Sequence, residues 1–186
     1  MFYLTRPGHT EITDFHNSAL AEPFSYSELG ATLSGDVPAD YQIDRNRIEL
    51  GSGDAAFASA KDAIRNWKMF DIGWIELFDT RTPIETGETA TLLISHLGFY
   101  SLNSARIIYT IDEPTRFGFA YGTLVCHGEI GEELFYVTLD ESSGAVSYEI
   151  LAMSRPGHIL ARLGYPVTRY LQRSFARDSL RAMTKQ

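Results

Sequence analysis

The chain has 186 residues, the length of one domain; 44% of them are apolar, 22% charged and 12% aromatic. This composition is typical of a globular protein and excludes a disordered or fibrous chain. A formal net charge of −8 argues against a general nucleic-acid binder, because phosphate contacts need an excess of basic side chains.

The charge is unevenly distributed, with −14 on residues 1–154 and +6 on residues 155–186. The single cysteine, Cys126, excludes an intramolecular disulfide. We find neither a secretory signal nor the roughly 18 consecutive apolar residues of a membrane-spanning helix. These features predict a cytoplasmic protein without a transmembrane segment.

Residues 1–40 mix prolines and glycines and show no sustained hydrophobic period, which predicts an irregular N-terminal arm. The arm precedes a body over residues 41–186, and the two together form a single domain. The alternation over 41–50 predicts a first strand with one solvated face. Phe57 and Ile64 then lie at helical spacing and predict a short amphipathic helix, with Asp54 as its cap.

Beyond Lys68 the hydrophobic period changes to two for about eighty residues. Short turn-rich segments separate the alternating runs, which predicts an antiparallel meander. The predicted strands cover residues 72–78, 90–97, 105–111, 117–122, 135–139 and 146–150.

Small residues occupy one face of the strand that begins at Phe117. Gly118, Ala120 and Gly122 alternate there with aromatic residues. A face with so few side chain atoms predicts that a helix or a ligand approaches the backbone closely.

The last part of the chain predicts a long helix that starts at Ser154 and Pro156. The sequence around Pro166 predicts a kink or break, because proline removes a backbone donor and restricts the preceding residue. The core stripe of the helix consists of Leu160, Leu163, Val167, Leu171 and Phe175.

The opposite face of this helix is basic and presents Arg169, Arg173 and Arg177 at intervals of four residues. This row is a candidate interaction surface. A solvated basic face, offset by the acidic remainder of the chain, is the simpler interpretation.

The order of elements predicts an α+β helix-grip fold. In this fold a curved antiparallel sheet of about seven strands wraps around a long C-terminal helix, and a short helix follows the first strand. Sheet and helix do not close completely, which leaves a cavity suited to a small hydrophobic ligand. Tyrosine hydroxyls in such a cavity need polar partners, and a ligand could provide them. The candidate cavity residues are Trp74, Tyr109, Phe119, Tyr121 and Tyr148.

No cofactor or metal is indicated. Residues 51–56 fit the G-x-G-x-x-A form of a dinucleotide fingerprint, but the charged strand before them and the absence of further βαβ units favour a tight turn and a helix cap. The five histidines are scattered without metal-ligand spacing.

Glu129, Glu132 and Glu133 lie beside His127 and form a cluster capable of acid-base chemistry. His127 and Glu133 are its weak catalytic candidates, and Tyr121 is a candidate for orienting a substrate. Cys126 precedes His127, but neighbours on a strand point to opposite faces, so a nucleophile-and-base pair is not favoured. A buried cysteine and solvated turn charges account for the same residues.

Several strings resemble the uncharacterised family called domain of unknown function 1990. The most specific is the run from Arg116 to Leu124, followed by His127 and the Gly131-Glu132-Glu133 motif. Other matching strings lie at Tyr41–Arg45, Leu50–Gly53, Trp67–Phe70, Ser154–Pro156 and Phe175–Ser179, so the resemblance covers nearly the whole chain. The family is similar in topology to lipid-transfer, polyketide-cyclase and pollen-allergen-like domains. The resemblance implies a ligand cavity and carries over no catalytic residues.

Three hypotheses remain. The chain is a binding domain for a small apolar or amphipathic molecule, an enzyme of the cyclase or hydratase kind that uses the same cavity, or an interaction module that docks through the basic row. The sequence is also compatible with a homo-oligomer.

Overall fold

A computed structural model describes residues 1–96, 98–156 and 165–185, with the backbone alone at 156, 165 and 166. The helices are α1 (His9–Ala19), α2 (Ala31–Ser34), α3 (Gly53–Arg65) and α4 (Tyr165–Thr184), with a 3₁₀ turn at Lys68–Phe70. The strands are β1 (Phe2–Tyr3), β2 (Gln42–Ser52), β3 (Ile75–Leu77), β4 (Thr89–His96), β5 (Phe99–Glu113), β6 (Arg116–Thr123), β7 (Glu129–Leu139) and β8 (Ala145–Pro156).

Seven strands form one curved antiparallel sheet in the order β2-β8-β7-β6-β5-β4-β3, and β1 adds to the free end of β5. Consecutive strands from β3 to β8 are neighbours, as short turns require, and β2 returns to the far edge beside β8. This arrangement with a C-terminal helix confirms the predicted α+β helix-grip fold.

The concave face of the sheet holds the main core. Helix α3, the 3₁₀ turn and α4 pack against it. The largest buried side chains there come from alternate positions of adjacent strands, including Phe119, Phe135, Tyr148 and Ile150. These are the positions that period-two alternation assigns to one face.

The convex face is also covered, and the cover comes from the N-terminal arm. The prediction that residues 1–40 are irregular is wrong for α1, which places Ile12 against Leu93 and Leu102 of the sheet. The Glu11 side chain accepts the Gly8 N–H at 2.7 Å and thereby satisfies one donor at the helix start. With so few apolar residues, α1 depends on this tertiary contact for its stability.

Residues 20–41 continue from α1 across the convex face, and we call this segment the strap. Its path explains the glycine at position 122 of β6, whereas the atoms next to Gly118 belong to Phe135 and Tyr136 of β7. A Cβ at Gly122 would overlap the hydroxyl of Tyr26, and Phe24 also lies against this position. The element that approaches this backbone is therefore the strap, rather than the helix or ligand that the sequence predicted.

A β-bulge in β5 corrects another prediction. The register shifts between Ile107, which pairs with Tyr121, and Tyr109, which pairs with Ala120. The extra residue, Ile108, breaks the alternation, so Ile107 faces the concave core and Tyr109 faces the convex side.

The C-terminal helix also starts elsewhere than predicted. Ser154 lies in β8, paired with Gln42, so the start predicted at Ser154 and Pro156 is wrong. The predicted core positions Leu160 and Leu163 lie outside the described residues, as does the glycine of the predicted kink.

Candidate functional site

The concave face changes character along its strands. Phe135 and Val137 of β7 belong to the apolar core, whereas Glu133 and Glu129, further back on the same face of the strand, are acidic. The alternation that places Phe135 in the core therefore also directs two carboxyl groups toward the space under α4. We call this polar end of the concave face the cleft.

Glu133 meets Tyr121 at the boundary between core and cleft. The two residues are direct cross-strand partners, and the Tyr121 hydroxyl donates to Oε2 of Glu133 at 2.9 Å. Among the described residues, this is the hydrogen bond that Glu133 makes. Burial raises the pKa of the Glu133 carboxyl to about 8, and the nearby carboxylates of Glu129 and Asp44 add to the rise.

Glu133 is both deep and accessible. Protein surrounds it closely enough to desolvate its charge, yet part of its side chain remains open to solvent. These two properties are compatible when a side chain lines an internal cleft. Tyr121 is similarly deep, and burial is the main reason that its hydroxyl pKa lies well above the usual value.

His127 lies in the turn that joins β6 to β7, where the N-terminal ammonium group is the charge that acts on it. Its Nδ1 accepts the Glu129 N–H at 3.0 Å, so the neutral ring carries its hydrogen on Nε2. Burial lowers the His127 pKa to about 4, while part of the side chain stays accessible. The described contacts do not join His127 to Glu133 directly.

A chain of polar contacts from α4 borders the cleft. Arg169 binds Asp44 of β2 through both Nη atoms, at 2.5 and 2.7 Å, and also donates to Gln172. The Gln172 amide in turn donates to Glu129 at 3.0 Å and to Ser154 at 3.1 Å. The first turns of α4 are thus tied to three strands at the mouth of the cleft.

The other predicted cavity residues have different places. Phe119 and Tyr148 have no accessible surface and belong to the packed core, where the Tyr148 hydroxyl contacts Ser179 of α4 at 3.1 Å. Trp74 is partly buried and donates from Nε1 to Asp178 at 3.2 Å. For both Tyr148 and Trp74, a protein group provides the polar partner.

Tyr109 does not belong to this space. It lies on the convex side, where its hydroxyl contacts Thr32 of the strap at 2.7 Å, and burial raises its pKa to about 12. The prediction that Tyr109 lines a cavity under the C-terminal helix is wrong, because the bulge at Ile108 turns it to the other face.

The basic row of α4 is not one continuous surface. Arg169 is turned inward to Asp44 and its side chain is 11% exposed. Arg177 is exposed and pairs with its neighbour Asp178 at 2.9 Å, and Arg173 is exposed. The three arginines therefore have different environments, although their spacing is regular.

Glu129 belongs to the predicted acidic cluster, and it lies four residues before Glu133 on the same face of the strand. Asp44 and Gln172, two of the described residues of the cleft, were not predicted. Asp44 and Arg169 are 125 positions apart, and no local pattern indicates that they meet.

A second concavity of about 420 Å³ lies outside the cleft, between the segment at 71–73 and the C-terminal turns of α4. Asp178, Arg181 and Lys185 line it, and none of the predicted site residues does.

The family model described as "Domain of unknown function (DUF1990)" matches residues 25–182. The chain belongs to this family. A UPF0548 protein of Dictyostelium discoideum is 37% identical over 205 residues, which cover 100% of this chain and 95% of that protein. The family resemblance seen in the sequence is thereby confirmed.

Solved structures agree with the fold. A hypothetical protein from Helicobacter pylori superposes with a TM-score of 0.55 at 10% identity, covering 80% of this chain and 89% of the other. A protein from Nitrosomonas europaea superposes with a TM-score of 0.51 at 12% identity, covering 81% of this chain and 97% of the other. Within the described residues, no helix is long and apolar enough to cross a membrane.

Proposed function

We propose that this DUF1990 member binds a small apolar or amphipathic molecule in the cleft between the sheet and α4. The observation that carries the proposal is the state of Glu133, a carboxyl that lies deep in the protein, remains accessible and hydrogen-bonds Tyr121. Leaving a polar group desolvated is costly unless a partner compensates it. A ligand with a polar group at one end would provide that partner.

The aromatic cluster beside this pair, whose partly exposed member is Phe175, suits the other end of such a ligand, and we call it the apolar wall. The Phe70 ring stacks near Tyr121 at a centroid distance of 6.3 Å and near Phe175 of α4 at 5.6 Å. Ligand sites commonly combine an apolar wall with few, well-placed polar groups. The arrangement favours an amphipathic ligand over a fully polar one.

The test is to extract the natively purified protein with organic solvent and identify released molecules by mass spectrometry. Binding of the neutral dye N-phenyl-1-naphthylamine provides a second readout. We expect both the ligand and the dye signal to be reduced in Glu133→Gln and Tyr121→Phe.

The chain offers a matched control on its other face. Tyr136 donates to Glu149 at 2.8 Å, which is the same pair of residue types on the convex side. Glu149→Gln and Tyr136→Phe should leave ligand and dye binding unchanged. A protein that releases no molecule and binds no dye would contradict the proposal.

A second candidate function, acid-base catalysis on the bound molecule, is favoured by one observation. With pKa values of about 8 and about 4, Glu133 is protonated and His127 is neutral at pH 7. Opposite shifts of this kind provide an acid and a base at the same pH.

The catalytic candidate is tested with the molecule extracted from the protein itself. Incubated with the protein in deuterium oxide, it should take up deuterium at carbon, and His127→Ala or Glu133→Gln should abolish the uptake. Uptake at the rate seen without protein would exclude this function and leave the binding proposal intact.

A further inference from the structure

The charge balance of the cleft limits the kind of ligand that can occupy it. Three carboxyl groups border the cleft: Asp44 from β2, and Glu129 and Glu133 from β7. Arg169 of α4 makes a two-pronged ion pair with Asp44. The hydrogen-bond partners of the other two carboxyls are neutral, namely the Gln172 amide and the Tyr121 hydroxyl.

Among the described residues, the accessible carboxyl of Glu133 faces the cleft beside a second carboxyl, and no cation contacts it. A carboxylate, phosphate or sulfate ligand would bring a negative charge into a poorly solvated space bordered by Glu129 and Asp44, and the protonated Glu133 carboxyl would provide no compensating positive charge. An alcohol would add one neutral hydrogen bond. An ammonium group adds both a positive charge and several donors.

The apolar wall also fits a cation. Tyr121 binds the Glu133 carboxyl, Phe70 lies near both Tyr121 and Phe175, and of these three rings Phe175 is the partly exposed one. An ammonium group close to a ring face is attracted by its quadrupole, and desolvation strengthens this attraction. The carboxyl and the rings therefore favour the same head group.

We infer that the ligand of the cleft is an amphipathic amine, whose ammonium group pairs with Glu133 and whose apolar body lies against the aromatic wall. The inference rests on the proposed binding function and specifies its ligand class.

Binding of an amine would change the protonation of the Glu133 carboxyl. The Glu133 carboxyl is protonated at pH 7 because burial, Glu129 and Asp44 all disfavour its charge. The groups that face it from the packed elements are Tyr121, Tyr148, Glu129 and Asp44, and Arg169 acts on Glu129. An incoming ammonium ion makes the carboxylate favourable, so the carboxyl proton leaves to solvent as the pair forms.

The experiment compares three probes with the same phenylpropyl body: 3-phenylpropylamine, 3-phenylpropan-1-ol and 3-phenylpropionate. Isothermal titration calorimetry at pH 7, in phosphate and in Tris, measures affinity and the number of protons released. We expect the amine to bind at least about tenfold more tightly than the alcohol, the carboxylate to bind most weakly, and close to one proton to be released with the amine.

Variants identify the group responsible. Glu133→Gln should lower the affinity for the amine to that for the alcohol and abolish proton release, whereas Glu149→Gln should change neither the affinity nor the proton release. Equal binding of the three probes would overturn the inference and leave the proposed function standing. Dye binding without binding of any probe would overturn it as well. Absence of both dye and probe binding would overturn the proposed function with it.

Discussion

Glu132 and Glu133 are neighbours in sequence and lie in opposite surroundings. Glu132 is 2% exposed on the convex side, where it accepts hydrogen bonds from the Tyr26 hydroxyl, from the N–H groups of Gly30 and Thr32, and from the Thr32 hydroxyl. Glu133 accepts from Tyr121 alone among the described residues. The Glu132 carboxylate accepts several hydrogen bonds, whereas among the described residues the Glu133 carboxyl accepts one. We therefore assign a structural role to Glu132 and a place in the cleft to Glu133.

Replacing Glu133 by glutamine should stabilise the protein, and the gain should depend on pH. Because the folded pKa of about 8 lies above the unfolded value near 4.5, the folded state holds more protons between these values, and stability falls as pH rises through that window. Glutamine keeps the shape without this loss. We expect a gain of about 2 kcal/mol at pH 8, less than so large a shift would give in full because the carboxyl is partly exposed, and little gain near pH 4.5.

Urea unfolding at pH 4.5 and pH 8 measures this difference. The control Glu149→Gln, whose carboxyl lies 3.6 Å from Arg47, should show no such gain. A Glu133→Gln protein less stable than the wild type at pH 8 would mean that the folded protein needs the charge.

A single methyl group at Gly122 should weaken the attachment of the strap. In Gly122→Ala the new Cβ overlaps the Tyr26 hydroxyl and lies 2.9 Å from Cδ1 of Ile108. Overpacking of this kind typically costs 1–3 kcal/mol, and we expect a loss of about 2 kcal/mol in urea unfolding. Gly128→Ala is the control, because its nearest atom would be Oδ1 of Asn103 at an ordinary 3.7 Å. Equal stability of the two variants would contradict the packing described for the strap.

At the scale of elements, charged side chains of the sheet hold the strap and the end of α1. Arg106 donates to the carbonyls of Ala19, Leu20 and Glu22, Glu132 binds the middle of the strap, and Arg155 binds Asp40 at 2.7 Å. These contacts satisfy backbone groups in a segment that has little regular structure of its own.

Removing the charge of Glu132 should loosen the strap without unfolding the sheet. In Glu132→Gln the single amide oxygen cannot accept all the donors that the carboxylate accepts, so some of them stay buried and unpaired. We expect a loss of about 2–4 kcal/mol in urea unfolding and faster protease cleavage within residues 20–41. Thr32→Val, which removes one of these donors, should fall between the wild type and Glu132→Gln. Cleavage at the wild-type rate in Glu132→Gln would contradict this role.

Two arginines of α4 provide a second contrast between elements. Arg169 forms a largely buried pair with Asp44 of β2, whereas Arg177 forms an exposed pair with its own neighbour. We expect Arg169→Ala to cost about 2 kcal/mol and Arg177→Ala to leave the stability close to that of the wild type, because only the loss of Arg169 leaves a largely buried ion pair broken. Urea unfolding of both variants at one ionic strength measures the contrast. Similar losses would mean that Arg169 acts as an ordinary surface charge.

At the scale of the whole molecule, the N-terminal 40 residues are part of the folded core. Leu102 and Leu93 of the sheet pack under α1, and Tyr26 and Tyr41 of the strap pack with Met153 of the sheet. A chain reduced to residues 41–186 would expose this apolar surface. We expect it to lose cooperative thermal unfolding by circular dichroism, and a cooperative transition would show that the strap and α1 are dispensable.

The sheet could be predicted from the sequence because alternation is a local signal repeated in each strand. The bulge at Ile108 could not, since one extra residue in β5 has meaning only against its partner β6. The strap could not be predicted either. Its contacts with Glu132 join residues about a hundred positions apart, and its own sequence has no period to reveal them.

The candidate site was predicted in part for the same reason. The pairing of Tyr121 with Glu133 follows from two adjacent strands, so both residues could be selected from sequence. The ion pair of Asp44 and Arg169 joins the first and last large elements of the body. Tyrosine spacing selected Tyr109 and Tyr148 as well, but spacing does not distinguish a packed hydroxyl from one that faces a cleft.

Because the side chains of Glu132 and Glu133 point to opposite faces of the sheet, β7 tolerates insertions and deletions poorly. Inserting or deleting one residue just before them in β7 would exchange the two acids, moving the strap's acceptor into the cleft and the cleft's carboxyl beneath the strap. One such event would damage both faces at once. Viable length variants should therefore be concentrated in the turn at 124–128 and in the loop at 140–144, and be absent from the strand between them.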